Sequence, residues 1–337
     1  MTTSPKLIIF DVGHGSCAFL QDGAVTTVVD CKDSTLFIEY LLSQKISAIS
    51  QIVISHADAD HIAGVLALIQ TDYIKIGTVF VNPDASKDSA MWMALRIALQ
   101  DAHARGKLKV RTAIGDGMAD QLQHEALRIE VLAPGIEWRL AGPGGKTKSG
   151  AAATSNAMSA VLLIHHENHP VVLLPGDMDA AGLADLIARG KILACDILVF
   201  PHHGGHIGGS GTPAARAKAN VAFAKGIIEQ AKPQLVIFSI GRGLFATPRP
   251  EIIQQIKVQL GGCGIFCTQL SEHCHAGSLA GAATHLSLLP ALGRTANQCC
   301  GGSIEITFAG SKTMQGLERK RYTDFVKGAL KSPLCRP

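Results

Sequence analysis

Residues 52–64 read Ile-Val-Ile-Ser-His-Ala-Asp-Ala-Asp-His-Ile-Ala-Gly, so an apolar run passes directly into a polar loop. Four of the six residues that follow Ser55 can bind a metal: His56, Asp58, Asp60 and His61. The apolar residues on either side predict a strand before this loop and a helix over 62–69 after it. A loop that regular structure fixes at both ends can hold its side chains in a preorganised arrangement, which a metal site needs.

Two carboxylates and two imidazoles in one loop exceed what a single ion needs, and the loop therefore predicts two ions. Two-metal hydrolytic sites hold their ions about 3.5–4 Å apart and clamp both the attacking and the leaving oxygen. The alternative is a solvated loop whose aspartates cap the next helix. Four ligand-type side chains between apolar segments are a costly way to cap a helix, so the metal interpretation is preferred.

The pattern His-x-Asp-x-Asp-His after a strand resembles the metal loop of the metallo-β-lactamase superfamily, whose usual form is His-x-His-x-Asp-His. The form with Asp in the second place is similar to the soluble hydrolase domain of the ComEC-type DNA-uptake competence proteins. Residues 11–15 (Asp-Val-Gly-His-Gly) and 156–159 (Asn-Ala-Met-Ser) resemble further parts of that family. The resemblance implies an α/β fold, the αββα sandwich of two mixed β-sheets flanked by helices. The alternation of strands and helices alone would allow any layered α/β architecture.

Two more motifs follow strands in the order that the family has them. Residues 174–177 (Leu-Pro-Gly-Asp) end in Asp177, and the resemblance implies that this carboxylate bridges two metals. Residues 201–204 (Pro-His-His-Gly) resemble the competence-type motif. Adjacent histidines point in different directions, so we expect His203 to be a ligand and His202 to face the substrate. The implied metal ligands are His56, Asp58, Asp60, His61, Asp177 and His203, with Asp60 and His202 as the catalytic residues.

Residues 11–15 leave the role of one histidine undecided. Gly13 and Gly15 would let the backbone pass close to the metal centre, because glycine tolerates conformations that other residues avoid. His14 between them either faces the site or is an ordinary hydrogen-bonded loop residue.

Composition and loop content limit the kinds of substrate and partner that the protein is expected to bind. The 337 residues are 47% hydrophobic and carry a net charge of +4, which suits a polyanionic substrate but not a dedicated nucleic-acid binder. The Gly-rich loop 141–157 carries Lys146 and Lys148, which either bind substrate phosphate or belong to a plain surface insertion. No apolar run reaches the ~18–20 residues of a membrane span. Without a signal-peptide pattern, we expect a cytoplasmic protein that does not bind membranes.

Nine cysteines without an export signal do not predict a disulfide framework. Several flank a Gly/Ala/Leu-rich insertion at 263–300, where they form a structural zinc site or are buried as small hydrophobes; the second is favoured. The residues concerned are Cys263, Cys267, Cys274, His275, Cys299 and Cys300. We expect a hydrolase domain over 1–310 and a basic C-terminal helix or tail over 311–337.

The function that follows is metal-dependent hydrolysis with two divalent ions, zinc or manganese, of a phosphodiester in nucleic acid or a nucleotide-like molecule. Two alternatives stay open. The same fold supports hydrolysis of another ester, an amide or a thioester, because a fold does not determine its substrate. The other alternative is a regulatory partner that binds metal but is inactive. It is suggested by Thr247, which stands where the family commonly has His, and by the absence of a mid-chain histidine that many members carry.

The ligand set predicts which metal restores activity. Asp58 stands where the usual loop has a histidine, and Thr247 stands where the family commonly has another histidine later in the chain. Carboxylate oxygens and water therefore make up a larger share of the metal ligands. Such a set favours manganese or another octahedral cation, although raw affinity still favours zinc. We expect metal-stripped protein to regain more hydrolytic activity with manganese than with zinc, measured after chelation and readdition. Two tightly held zinc ions and no response to manganese would contradict this.

Overall fold

The computed structural model describes residues 4–118, 122, 124–208, 211–243, 245–281, 283–309, 312–315 and 319–335. The strands within these ranges are β1 (Lys6–Ile9), β2 (Cys17–Asp22), β3 (Val25–Cys31), β4 (Ala48–Ile54), β5 (Lys75–Val81), β6 (Lys109–Arg111), β7 (Leu127–Ala133), β8 (Val161–His166), β9 (His169–Leu174), β10 (Ile197–Val199), β11 (Leu235–Phe238), β12 (Gly264–Cys267), β13 (Ile304–Ala309) and β14 (Lys312–Gln315). The helices are α1 (Ser34–Ser43), α2 (Ala59–Gln70), α3 (Ala90–Ala104), α4 (Ile136–Ala141), α5 (Ala180–Ala188), α6 (Pro213–Ala231), α7 (Pro250–Leu260) and α8 (Arg319–Ala329).

The strands form two mixed sheets. One has the order β14-β13-β1-β2-β3-β4-β5-β6 and the other has the order β12-β11-β10-β9-β8-β7. In the larger sheet the pairs from β14 to β3 are antiparallel and those from β3 to β6 are parallel. In the smaller sheet β7, β8 and β9 are antiparallel, and β9 to β12 are parallel. The predicted fold of two mixed sheets flanked by helices is confirmed.

Both faces of the larger sheet are buried, which explains its continuous apolar runs. Side chains alternate between the faces of a strand, and Val53 of β4 therefore joins the core between the two sheets. Ile52 and Ile54 point to the opposite face, where they join a second core that includes Phe37 of α1 and Val65 of α2. The apolar strand predicted before the metal loop thus contributes to two layers of core.

The strand and the helix predicted on either side of the metal loop are observed as β4 and α2, although α2 already begins at Ala59. Helix α7 and strand β12 are two of the elements that the sequence did not predict. Helix α7 buries Ile252, Ile253 and Ile256 and begins with Pro250, which suits the first helical position. Strand β12 is a short apolar run, Gly-Ile-Phe-Cys, that pairs in parallel with β11. Within the described residues, no helix is both long and apolar enough to cross a bilayer.

The cysteine-containing insertion does not assemble a metal site within the described part of the chain, where no cluster of cysteines and His275 could hold an ion. Two of the sulfurs have hydrogen-bond partners of their own. Cys299 Sγ donates to Asp11 Oδ2 at 3.4 Å, and Cys274 Sγ accepts from the Leu334 amide at 3.4 Å. All nine cysteines are free thiols. This favours the interpretation as small buried side chains and leaves the structural zinc without support.

Gly241 packs closely against Gly13 and His14, so we expect one added methyl group there to have a large effect on stability. A Cβ at Gly241 would clash with His14 N and lie 2.6 Å from Gly13 C, whereas at Gly262 it would meet nothing within 4 Å. We expect Gly241→Ala to lower the free energy of unfolding by about 1–3 kcal/mol, as overpacking does. Denaturant titration measures it, with Gly262→Ala as the matched control. Equal stability of the two variants would contradict the packing at Gly241.

Candidate metal centre

Strand ends from both sheets meet at the site. The parallel strands β3 and β4 of the larger sheet end beside β9, β10 and β11 of the smaller one, as the contacts of the following residues show. Gly176 has a left-handed backbone (φ 56°) immediately before Asp177, and an added Cβ there would meet Ser55 at 3.0 Å. This tight turn brings the carboxylate that follows β9 against the loop that follows β4.

Four of the predicted ligands form one tight group. Asp60, His61, Asp177 and His203 each offer a ligand atom, and these atoms all lie within 4.8 Å of one another. Asp60 and His61 come from the first turn of α2, and His203 comes from the short helical turn Pro201–Gly204 after β10. A donor set of imidazoles and carboxylates is one that divalent transition metals bind.

Three imidazoles direct nitrogen atoms without hydrogen-bond partners towards this group. The Nε2 atoms of His56, His61 and His203 are buried and make no hydrogen bond with any described residue. Buried polar atoms of proteins are nearly always paired, and three such atoms beside two carboxylates are the donors that a bound cation would satisfy. The residues present therefore fit a divalent metal ion.

The opposite nitrogens of two of these rings are fixed. His61 Nδ1 lies 2.8 Å from Asp30 Oδ2, and His203 Nδ1 donates to the Ser239 carbonyl at 2.7 Å. Each contact leaves Nε2 as the nitrogen that faces the group. Partners of this kind orient metal-binding histidines and raise their basicity.

Asp30 was not assigned a role from the sequence. Its carboxylate also accepts hydrogen bonds from Ser55 N at 2.7 Å and from Ser55 Oγ at 2.6 Å. The available signal was its position at the end of β3, the same kind of position that holds the predicted motifs. Its contact with His61, 31 residues away, could not be read from spacing.

Charge coupling within the group opposes the cost of burial. Burial disfavours the ionised Asp177, but the charges of His61 and His203 and the hydrogen bond from His202 hold its pKa well below the ordinary value. Burial also disfavours the protonated His61, yet the carboxylates of Asp177 and Asp30 raise its pKa well above the ordinary value. Asp177 therefore stays anionic, as a carboxylate that binds a metal must.

The other predicted residues lie around this group. His56 Nε2 is 3.8 Å from Asp177 Oδ2 and 4.0 Å from Asp58 Oδ2. The second oxygen of Asp58 forms an ion pair with Lys87. His202 Nδ1 lies 2.8 Å from Asp177 Oδ2, with about a third of its side chain exposed. His56 and Asp58 thus stand beside the tight group rather than in it.

A cavity of about 680 Å³ opens over the group. Its lining includes His202, the buried Thr247, and the cations Lys32 and Arg249. Thr247 lines this cavity, and its buried Oγ1 has no hydrogen-bond partner among the described residues.

The predicted phosphate-binding lysines lie elsewhere. Lys146 and Lys148 are exposed and are not part of the cavity lining. The Lys148 amide donates to Glu137 Oε1 at 2.5 Å, which ties its loop to helix α4. Their contact with substrate phosphate stays a prediction.

His14, which the sequence left undecided, faces the cavity. Its Nε2 lies 3.7 Å from Asp60 Oδ2, and its ring centroid is 4.5 Å from that of His203. Burial and the charge of His203 lower the pKa of His14 to about 4, so its imidazole is neutral. The close approach allowed by Gly15 is also observed, because a Cβ there would clash with the Asp60 carbonyl.

Comparison with known proteins agrees with this geometry. Residues 10–101 match the sequence model of the Metallo-beta-lactamase superfamily, a range that contains Asp30 and the loop from His56 to His61. The matched range includes the metal loop, and the match agrees with the resemblance of residues 56–61 to that superfamily. The likeness to the competence proteins stays a prediction. No curated protein matches the chain.

Several solved structures are similar to this chain at low sequence identity. The metallo-beta-lactamase fold protein YhfI from Bacillus subtilis has 15% identity and a TM-score of 0.46, with 77% of this chain and 94% of that chain covered. Zn²⁺-bound PqqB from Methylobacterium extorquens has 11% identity and a TM-score of 0.45, with 77% and 97% covered. Human tRNase Z, short form, has 12% identity and a TM-score of 0.40, with 70% and 93% covered.

The contacts of Asp30 predict a loss of metal affinity when its charge is removed. Asp30→Asn keeps the shape of the side chain but weakens the interaction that orients His61, and we expect metal affinity to fall about 10–100-fold. Chelator competition measures the dissociation constant. The matched control is Asp33→Asn, because Asp33 only caps α1 through Thr35 N and Leu36 N and asparagine caps equally well. An unchanged dissociation constant in Asp30→Asn would refute the orienting role.

Proposed function

We propose that the protein is a metal-dependent hydrolase that cleaves phosphodiester bonds in nucleic acid or nucleotide-like molecules. The observation that carries the proposal is the convergence of three unpartnered imidazole nitrogens on Asp60 and Asp177 beneath an open cavity. Hydrolysis within the superfamily commonly relies on such a centre, and the cationic lining suits an anionic substrate.

Two divalent cations, zinc or manganese, would be held by the six residues predicted from the sequence. Asp177 would bridge them, since its Oδ1 lies near His61 and His203 while its Oδ2 lies near His56 and His202. Cations bound in this way supply Lewis acidity to the scissile group and lower the pKa of water that attacks it. The ligands in full are His56, Asp58, Asp60, His61, Asp177 and His203.

The protein groups beside the ligands would handle protons and charge. His202 donates its Nδ1 hydrogen to Asp177, which orients the rest of the ring towards the cavity that it lines. Burial disfavours protonation of His202, but the hydrogen bond to Asp177 and the charge of Asp177 raise its pKa above the ordinary value. The protonated ring would also carry a hydrogen on Nε2, which could stabilise negative charge that develops on the leaving oxygen. Asp60, which is 3.4 Å from His203 Nε2 and partly exposed to the cavity, would accept the proton of the attacking water.

The cavity wall suits a substrate that combines phosphate with a flat ring. Lys32 and Arg249 provide positive charge, and Phe245 packs against His14 with ring centroids 4.4 Å apart and ring planes inclined by 45°. The Phe245 side chain is 53% exposed, so one face of the ring remains accessible. Aromatic rings of this kind stack on nucleobases with little sequence preference. This pairing favours a nucleotide-like substrate over a simple carboxylic ester.

Removing the central carboxylate tests the proposal. We expect Asp177→Ala to lower the hydrolysis of bis(p-nitrophenyl) phosphate and of single-stranded DNA or RNA by more than the ~10–100-fold typical of an orienting partner. Asp179→Ala is the control two residues away. Asp179 caps α5 through Ala181 N and Gly182 N, so its loss costs about 1 kcal/mol of stability and leaves hydrolysis intact.

The outcomes separate the alternatives. An Asp177→Ala variant that keeps most of its activity would refute the two-metal site. Cleavage of p-nitrophenyl acetate without cleavage of any phosphodiester would favour an esterase on the same fold. Tight metal binding with no hydrolysis of any substrate would favour a regulatory protein, for which the ion pair between Asp58 and Lys87 is the supporting observation.

A further inference from the structure

A second polar network reaches the same cavity and takes no part in the metal centre. His206 and Arg249 line the cavity wall. Behind them, Asn220 of α6 is fully buried, and its Nδ2 donates to His206 Nδ1 at 3.1 Å and to Glu251 Oε1 at 2.8 Å. Its Oδ1 accepts from the Ile207 amide at 3.0 Å. Every polar atom of this amide is therefore used.

The network determines which atoms His206 and Arg249 present. Because His206 Nδ1 accepts a hydrogen bond from Asn220, the neutral imidazole carries its hydrogen on Nε2, where it can be donated. Glu251 Oε1 lies 3.6 Å from Arg249 Nε. Buried networks of this kind rigidify the groups they connect, so an imidazole donor and a guanidinium are held in place on one wall.

Positive charge exceeds negative charge at this wall. Arg249 Nε is buried without a hydrogen-bond partner in the described part of the chain, and the same holds for Arg216 Nε. Burial lowers the pKa of His206, and the charges of Arg249 and Arg216 lower it further, which indicates that both guanidinium groups are near this ring. The charge of Glu251 opposes this shift. The wall therefore has unmet capacity for an anion.

We propose that His206 and Arg249 form a subsite for a second anionic group of the substrate, a phosphate next to the scissile one. This proposal rests on the proposed phosphodiesterase function. A cavity of about 680 Å³ is within the range of small-molecule sites and leaves room beyond the scissile group. A guanidinium binds phosphate through paired donors that a lysine cannot reproduce. The site thus selects substrates with consecutive phosphates over isolated diesters.

Steady-state kinetics on two dinucleotides test the subsite. The probes are thymidylyl-thymidine, with one phosphate, and the same dinucleotide phosphorylated at both its 5′ and 3′ ends. We expect metal-loaded wild-type protein to have a kcat/KM about tenfold or more higher for the phosphorylated form, as charge-assisted hydrogen bonds give. Arg249→Met should reduce that ratio towards one, mainly by raising KM for the phosphorylated probe, while Arg249→Lys should keep part of it.

The control removes one positive charge elsewhere. Lys75 is exposed at the start of β5, the opposite strand end from the metal centre, and Lys75→Met should preserve the wild-type ratio. Circular dichroism checks that each variant is folded. If Arg249→Met does not fold, the ratio measured with Arg249→Lys decides the test.

Each outcome decides between the two proposals. If the wild type cleaves both probes equally well, or if Arg249→Met keeps the wild-type ratio, the subsite is refuted and the phosphodiesterase function stands. If neither probe is cleaved, the proposed function fails, and calorimetric dissociation constants of the same probes decide the subsite. Equal binding of both probes by the wild type would then overturn it, and tighter binding of the phosphorylated one that Arg249→Met abolishes would support it.

Discussion

The hydrogen bonds of Asp30 connect the metal loop to the sheet that carries it. Asp30 accepts from Ser55 N and Ser55 Oγ, so it holds the first residue after β4, and it also contacts His61 Nδ1. One buried carboxylate therefore fixes both the beginning of the loop and a residue six positions later. A buried charge is tolerable only when it is paired and fully hydrogen-bonded, and here the same contacts that stabilise Asp30 orient the candidate ligand.

Backbone conformation adds to this constraint. Asp30, His202 and His203 all lie in the left-handed region, with φ between 52° and 56°. Residues other than glycine adopt it at a cost of roughly 1–3 kcal/mol each, and they keep it only where the surroundings over-determine it. Each of the three has a hydrogen-bonded side chain: Asp30 with Ser55, His202 with Asp177, and His203 with the Ser239 carbonyl. The strain is thus held at the site by contacts that also determine which atoms face the cavity.

Sequence reasoning succeeded where the signal is local. The strand–loop–helix pattern around His56 and the Gly-Asp after β9 are short segments whose residue types indicate both the element and the chemistry. The two mixed sheets followed from the family resemblance that these segments carry. Reasoning failed where contacts join distant residues, as between Asp30 and His61 or between Asn220 and Glu251, since no local period encodes a pairing 31 residues apart. Lys146 and Lys148 show the converse: a suggestive local composition did not bring them to the cavity lining.

The cysteine-containing insertion at residues 263–300 stabilises the loop that carries His14. Asp11 is fully buried, and its carboxylate accepts hydrogen bonds from Gln269 Nε2 at 2.8 Å, Gly293 N at 3.0 Å and Cys299 Sγ at 3.4 Å. Asp11 also accepts from the Gly13 amide at 3.2 Å, so the insertion anchors the loop that carries His14. Burial raises the pKa of Asp11, and these four donors oppose that shift. An insertion far along the chain thereby holds His14 against Asp60 and His203, in the cavity that Thr247 also lines.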